Sequence, residues 1–153
     1  MSEAPFDVKR AHRWFAVELN NAAWDLVDAE RRSPQEVERM IHAAHGACFH
    51  WLQVGDLLSH LRAQCLLATA YARAGLAEPA LRHADRCLSL SAEAGDRQTA
   101  FDRATAHGCA SAAYLLAGRV DAAKAEHQIA TVVAEGFTDL SEAPLFAKLY
   151  PAP

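Results

Sequence analysis

The sequence is poor in breakers, with 7 glycines and 6 prolines in 153 residues. No alternating apolar run is flanked by Asn-Gly or Asp-Gly, which excludes the usual β-hairpin signal. No basic run or stripe occurs, so duplex and single-stranded nucleic acid are not expected partners. The formal net charge of −4 serves solubility. No apolar run reaches the ~20 residues that cross a bilayer, so no membrane partner is expected. Met1–Arg10 carries acidic residues and no apolar segment, unlike a signal peptide. The four cysteines, Cys48, Cys65, Cys87 and Cys109, form no CxxC pair, which excludes zinc-ribbon and thioredoxin patterns. Each lies in a helical pattern, where cysteine acts as a small buried apolar group. A reducing, cytoplasmic location fits that usage. HExxH, GxSxG, P-loop and GxGxxG motifs are all missing.

What is present is alanine and helical periodicity. Hydrophobic residues make up 52%, and alanine loses no side-chain entropy in a helix. The length predicts one domain, 1–153, with a sizeable core. Gln64–Ser91 is echoed at His107–Ala134 with a constant offset of forty-three residues. Tyr71 falls on Tyr114, Gly75 on Gly118 and Ala80 on Ala123. A period of this length marks repeated helix pairs.

The predicted order is an N-terminal hairpin over 6–54, helix pairs over 57–94 and 97–135, and a short helix over 139–150. In the first helix Ala11, Phe15, Leu19, Ala22 and Leu26 recur at core spacing. Ser33-Pro34-Gln35-Glu36 is a capping box with proline at the first helical position. Gly55 is expected to supply a left-handed turn and Asp56 the next cap. Gly95-Asp96 looks like the same device. Val120–Glu135 ends at Gly136, and Asp139-Leu140-Ser141-Glu142 offers another box. The last helix, with Leu145, Phe146, Leu149 and Tyr150, suits the exposed end of an open stack.

Leu67-Ala68, Tyr71, Gly75, Ala80, Ala84 and Cys87 together resemble a tetratricopeptide repeat. The copy reads Ala110-Ser111, Tyr114, Gly118, Ala123, His127 and Ala130, with Lys124 in place of Leu81. The family period is about 34 residues, so helices here would be longer by roughly two and a half turns. Longer pairs of this kind resemble the repeat domains of some bacterial signalling regulators. The wording of the N-terminal half (Ala44-His45, His50-Trp51, His60-x-Arg62) is similar to short bacterial proteins that carry no assigned activity. The resemblance implies an all-α, right-handed stack of about seven helices, the last a capping helix. It implies a groove lined by Arg62, Cys65, Thr69 and Ala72, then Thr105, Gly108, Ala112 and Leu115. The lysine and asparagine set of a carboxylate clamp is missing apart from Arg62 and Asn20 or Asn21.

The first functional expectation is a non-catalytic interaction module for a peptide or protein partner. Its candidate residues are Asn21, Trp24, His45, His50, Trp51, His60, Arg62 and Asp102. The aromatics would supply apolar area, Arg62 would anchor an acidic group, and the histidines would supply hydrogen bonds and pH sensitivity. Phe101-Asp102-Arg103 also reads as a plain ion pair on a helix surface. The second expectation is a small-ligand or metal-binding protein, with or without an activity, using the histidines of the N-terminal half. His42 and His45 share a helix face, as do His45 and Cys48, and a metal at His45, His50 and His60 is the lesser reading beside no cofactor at all. A Cys48–His45 or Cys109–His107 pair lacks the third group that would orient a nucleophile, so no catalytic residue is assigned. A structural homodimer through the apolar C-terminal end is the third class.

Overall fold

A computed structural model describes residues 4–153; Met1 to Glu3 of the N-terminal segment lie outside the described residues. Among the described residues there are seven helices and no strand: α1 (Val8–Asp28), α2 (Pro34–Val54), α3 (Leu57–Arg73), α4 (Ala77–Ala94), α5 (Ala100–Leu116), α6 (Val120–Ala134) and α7 (Glu142–Leu149). Each of α1 to α5 packs on the next helix in sequence. In addition α1, α3 and α5 pack on one another in turn, backed by α2, α4 and α6, and α7 packs on α5. No described helix is long and apolar enough to cross a membrane.

Local chemistry sets the helix starts. Ser33 Oγ accepts from the Glu36 N–H at 3.2 Å while Glu36 accepts from the Ser33 N–H at 2.8 Å, the reciprocal box that the sequence predicts. Asp56 accepts from the Ser59 N–H at the start of α3. The second predicted stop-and-cap differs. Gly95 does turn left-handed, but Gly95–Arg97 forms a 3₁₀ turn and Asp96 caps nothing. Thr99 caps α5 instead, with Asp102 completing the box, because that pair has the required three-residue spacing. Near the C-terminus half of the expected Asp139–Glu142 box forms: Glu142 accepts from the Asp139 N–H, and also from Thr138, but the Asp139 carboxylate accepts from the Ser141 N–H instead of from Glu142.

The two internal copies match in detail. Gly75 and Gly118 both have positive φ, +73° and +75°. Each closes its helix the same way: Leu76 N–H donates to the Tyr71 carbonyl, and Arg119 N–H to the Tyr114 carbonyl. The tyrosines also share surroundings, since each hydroxyl bonds to a side chain on the preceding even-numbered helix, His45 on α2 or Asp85 on α4. A polar pair then ties each hairpin at equivalent positions: His83 Nδ1–H donates to Gln64 Oε1, and His107 Nδ1 meets Glu126 Oε2.

Three expectations need correction. Gly55 is extended, not left-handed. Glycine is needed there for space, because a Cβ would lie 2.6 Å from the Trp51 carbonyl oxygen and 2.7 Å from Ser59 Cβ. In α1 the buried line is Ala16, Ala23 and Val27, while Phe15 is exposed. Small side chains face the close-packed α2 and α3, and the larger aromatics are left on the outer edge. Finally, α7 does not cover the end of the stack. It lies against α5, and Tyr150 is buried at 1% exposure over Gly108, where a Cβ would meet its ring at 2.7 Å. Part of the expected groove, at Cys65, Thr69 and Gly108, is therefore filled by the chain itself.

Candidate functional site

What stays open is a cleft of about 640 Å³ between α1, α3, α5 and α7. Helical spacing puts Asn20, Trp24 and Asp28 of α1 on its first wall and Leu145 and Leu149 of α7 opposite. Arg62 and Cys65 come from consecutive turns of α3, and Phe101 and Thr105 from α5. The apolar surface is therefore Trp24, Phe101, Leu145 and Leu149. The charged groups are Asp25, Asp28, Asp102, Glu142 and Arg62.

Arg62 and Asp102 form a two-pronged ion pair, Nε to Oδ1 at 2.8 Å and Nη2 to Oδ2 at 2.9 Å. Asp102 is not on the surface: its side chain is 7% exposed against 55% for Arg62. Burial pushes the Asp102 carboxyl up, but the Arg62 and Thr99 hydrogen bonds outweigh it, and the net direction is down. The Asp102 carboxylate in turn holds the guanidinium proton more firmly. Across the mouth, Lys148 Nζ lies 2.6 Å from Asp28 Oδ1, tying α7 to α1. Arg73 Nη2 donates to the Leu149 carbonyl at 2.7 Å, tying α7 to α3.

The eight candidate residues do not share one surface. Trp24, Arg62 and Asp102 meet in the cleft; Asn20 joins them, whereas exposed Asn21, one residue further round α1, does not. His45 belongs to a separate cluster on the other side of α3. Its Nε2 is 2.7 Å from the Tyr71 hydroxyl, and Tyr71 stacks on His83 at 5.6 Å and 3°. Burial, then His45 and Arg82, push His83 down to about 4. Burial and His42 also lower His45. His50 sits on the α1–α2 edge, its Nδ1 2.7 Å from that of His12 and its ring stacked on Phe15. His60 donates to the Trp51 carbonyl at the α2–α3 corner. His45, His50 and His60 thus have three different sets of partners and form no common ligand set.

A different group does converge. Cys65, Cys87 and Cys109 bring their Sγ atoms within 4.8 Å of one another, the one group of three metal-type ligands this close among the described residues. All four cysteines are free thiols. The signal was available: the three are evenly spaced at twenty-two residues, and each sits near the middle of its helix. In an up–down–up run of helices the middles lie at one level. The S–H groups of Cys109, then Cys87, hold Cys65 low against the effect of burial, while Cys109 itself is pushed up by Cys65 and Cys87.

No protein family, no curated protein and no solved structure matches this chain.

Proposed function

We propose that the chain is a non-catalytic binding module, a tetratricopeptide-like stack whose working element is the α1–α3–α5–α7 cleft. Its ligand is a short peptide segment that carries an aliphatic or aromatic side chain beside a basic one. The repeated turn geometry at Gly75 and Gly118 supports the stack. One observation carries the ligand class: apolar walls stand beside four carboxylates and a single guanidinium. That guanidinium already spends two N–H groups on Asp102, and Lys148 pairs with Asp28, so the charge left to recruit a ligand is that of Asp25 and Glu142 and is negative. Arg62 then positions the wall of the cleft and does not anchor an acidic partner. A small organic amine is the second reading, because the cleft volume falls within the ~300–1,000 Å³ of small-molecule sites.

Selection from a random-peptide display library tests this. Enrichment of lysine or arginine next to large apolar residues is expected, with loss of binding in the Trp24→Ala and Asp25→Lys variants. Enrichment of acidic peptides, or binding indifferent to both changes, would overturn it.

A further inference from the structure

Of the three central thiols only Cys65 touches the cleft proposed for the peptide, and Cys87 and Cys109 lie behind it. Cys87 and Cys109 are 0% exposed and Cys65 4%. Alanine serves most of the close contacts in this core, yet three helices each place a cysteine at one point. A polar relay also reaches that point. The Tyr150 hydroxyl lies 3.3 Å from Cys65 Sγ and 2.8 Å from Thr69 Oγ1, and Thr69 donates to the Cys65 carbonyl. Both hydroxyls can rotate. With Cys65 as a thiol, its S–H donates to Tyr150, which donates to Thr69. With Cys65 as a thiolate, Thr69 donates to Tyr150, which donates to the sulfur. The relay therefore accommodates loss of the Cys65 proton without leaving a buried donor unpaired. A route in exists as well, because Cys65 and Thr105 both line the cleft.

Sulfur donors select soft ions. Zinc in a closed site wants four ligands, and only three sulfurs converge here. Charge decides among three-coordinate centres. Each thiolate brings one negative charge into apolar surroundings, where uncompensated charge is costly. Three thiolates on copper(I) would carry two net negative charges and on zinc one; on a trivalent centre they carry none. We propose that Cys65, Cys87 and Cys109 bind a trivalent thiophilic metalloid of the arsenic(III) class as a neutral three-sulfur complex. Arsenous acid reaches the thiols through the cleft. Three S–H and three As–O bonds break, and three As–S and three O–H bonds form. Three waters leave, and arsenic stays trivalent, so no oxidant or reductant is needed. Three sulfurs held at about 2.3 Å from one centre, a zinc–thiolate length, lie at most about 4.0 Å apart. Closure from the present spacing then moves each sulfur by less than about 1 Å.

The test titrates the reduced full chain with arsenite. Native mass spectrometry should show one arsenic bound with loss of three hydrogens, and X-ray absorption should show three sulfur neighbours and no oxygen. Cys65→Ala, Cys87→Ala and Cys109→Ala should each weaken binding by roughly a hundredfold or more, as loss of a ligand demands, while Cys48→Ala changes it less than about twofold. Should a variant fail to fold, alkylation and peptide mapping of the unaltered chain decide, at a denaturant concentration where all three thiols react in the arsenic-free chain: arsenite must slow modification of Cys65, Cys87 and Cys109 together. No stoichiometric arsenic, an As–O bond in the complex, protection of a pair that includes Cys48, or tighter binding of copper(I) or zinc by the same sulfurs would overturn the assignment.

Discussion

Gly108→Ala separates two effects that carry opposite signs. Within a helix, alanine is favoured over glycine by about 1 kcal/mol. Against this, the new Cβ would sit 2.7 Å from Cγ and Cδ2 of Tyr150 and 3.0 Å from Cε2 of Phe146. Cγ is the root of a rigid ring, so it cannot swing aside without the whole side chain leaving its place. Forcing extra methylenes into packed cores costs about 1–3 kcal/mol, and here the relay from Tyr150 to Thr69 is disturbed as well. The net expectation is destabilisation by up to about 2 kcal/mol. In a Tyr150→Ala background the clash is gone, and the same substitution should be neutral or stabilising. A double-mutant cycle from urea unfolding measures the difference, and hydrogen exchange should show lost protection in Glu142–Leu149. If Gly108→Ala stabilises the intact chain, or has the same effect in both backgrounds, Tyr150 does not occupy the notch described here.

Two further outcomes follow from the same geometry. His83 is neutral in the fold with its pKa at about 4 against 6.5 when free, so the unfolded chain binds the extra proton. Stability is then flat above about pH 6.5 and falls between 6.5 and 4, by ~1–2 kcal/mol once partial exposure is allowed for. Urea midpoints across that range should fall with acidity and do so less in His83→Gln; an unchanged slope in the variant would count against it. Gly75→Ala and Gly118→Ala each force a side chain into a left-handed turn with no atom within 4 Å of the new Cβ. Both should cost about 1–2 kcal/mol, equally within error, by thermal or urea unfolding; a large inequality would mean that the two turns are not equivalent.

The starts of α2 and α3 and the repeat were legible because their causes are local, whereas the starts of α5 and α7 were placed too early. A capping box needs only Ser33 and Glu36, and a left-handed stop needs only Gly75 or Gly118. The helix pair predicted over 57–94 begins and ends where α3 and α4 do, at Leu57 and Ala94. Faces were harder to read. Phe15 has the stronger hydrophobic signal, but it is 43% exposed and the small neighbouring Ala16 is the buried residue. Long-range pairs leave no mark in any single window. Asp102 looks like a neighbour of Arg103, yet its partner is Arg62, forty residues away. The position of α7 depends on the missing side chain at Gly108, and nothing near the C-terminus announces it.

Two apolar walls of the cleft, Leu145 and Leu149, belong to α7, so the cleft exists as a pocket only while α7 is docked. Docking rests on contacts of different kinds to three helices: the Asp28–Lys148 ion pair to α1, the Arg73–Leu149 hydrogen bond to α3 and the Tyr150–Gly108 packing to α5. The exposed ion pair contributes little by itself. The buried tyrosine ring removes on the order of 150–250 Å² from water, and at ~25 cal/mol per Å² it outweighs the other two. Gly108 therefore governs a wall that it does not line. A substitution there should abolish peptide capture while Trp24, Asp25 and the Arg62–Asp102 pair remain as they were, whereas an alanine at Gly118, in the turn between α5 and α6, should lower stability and leave capture intact.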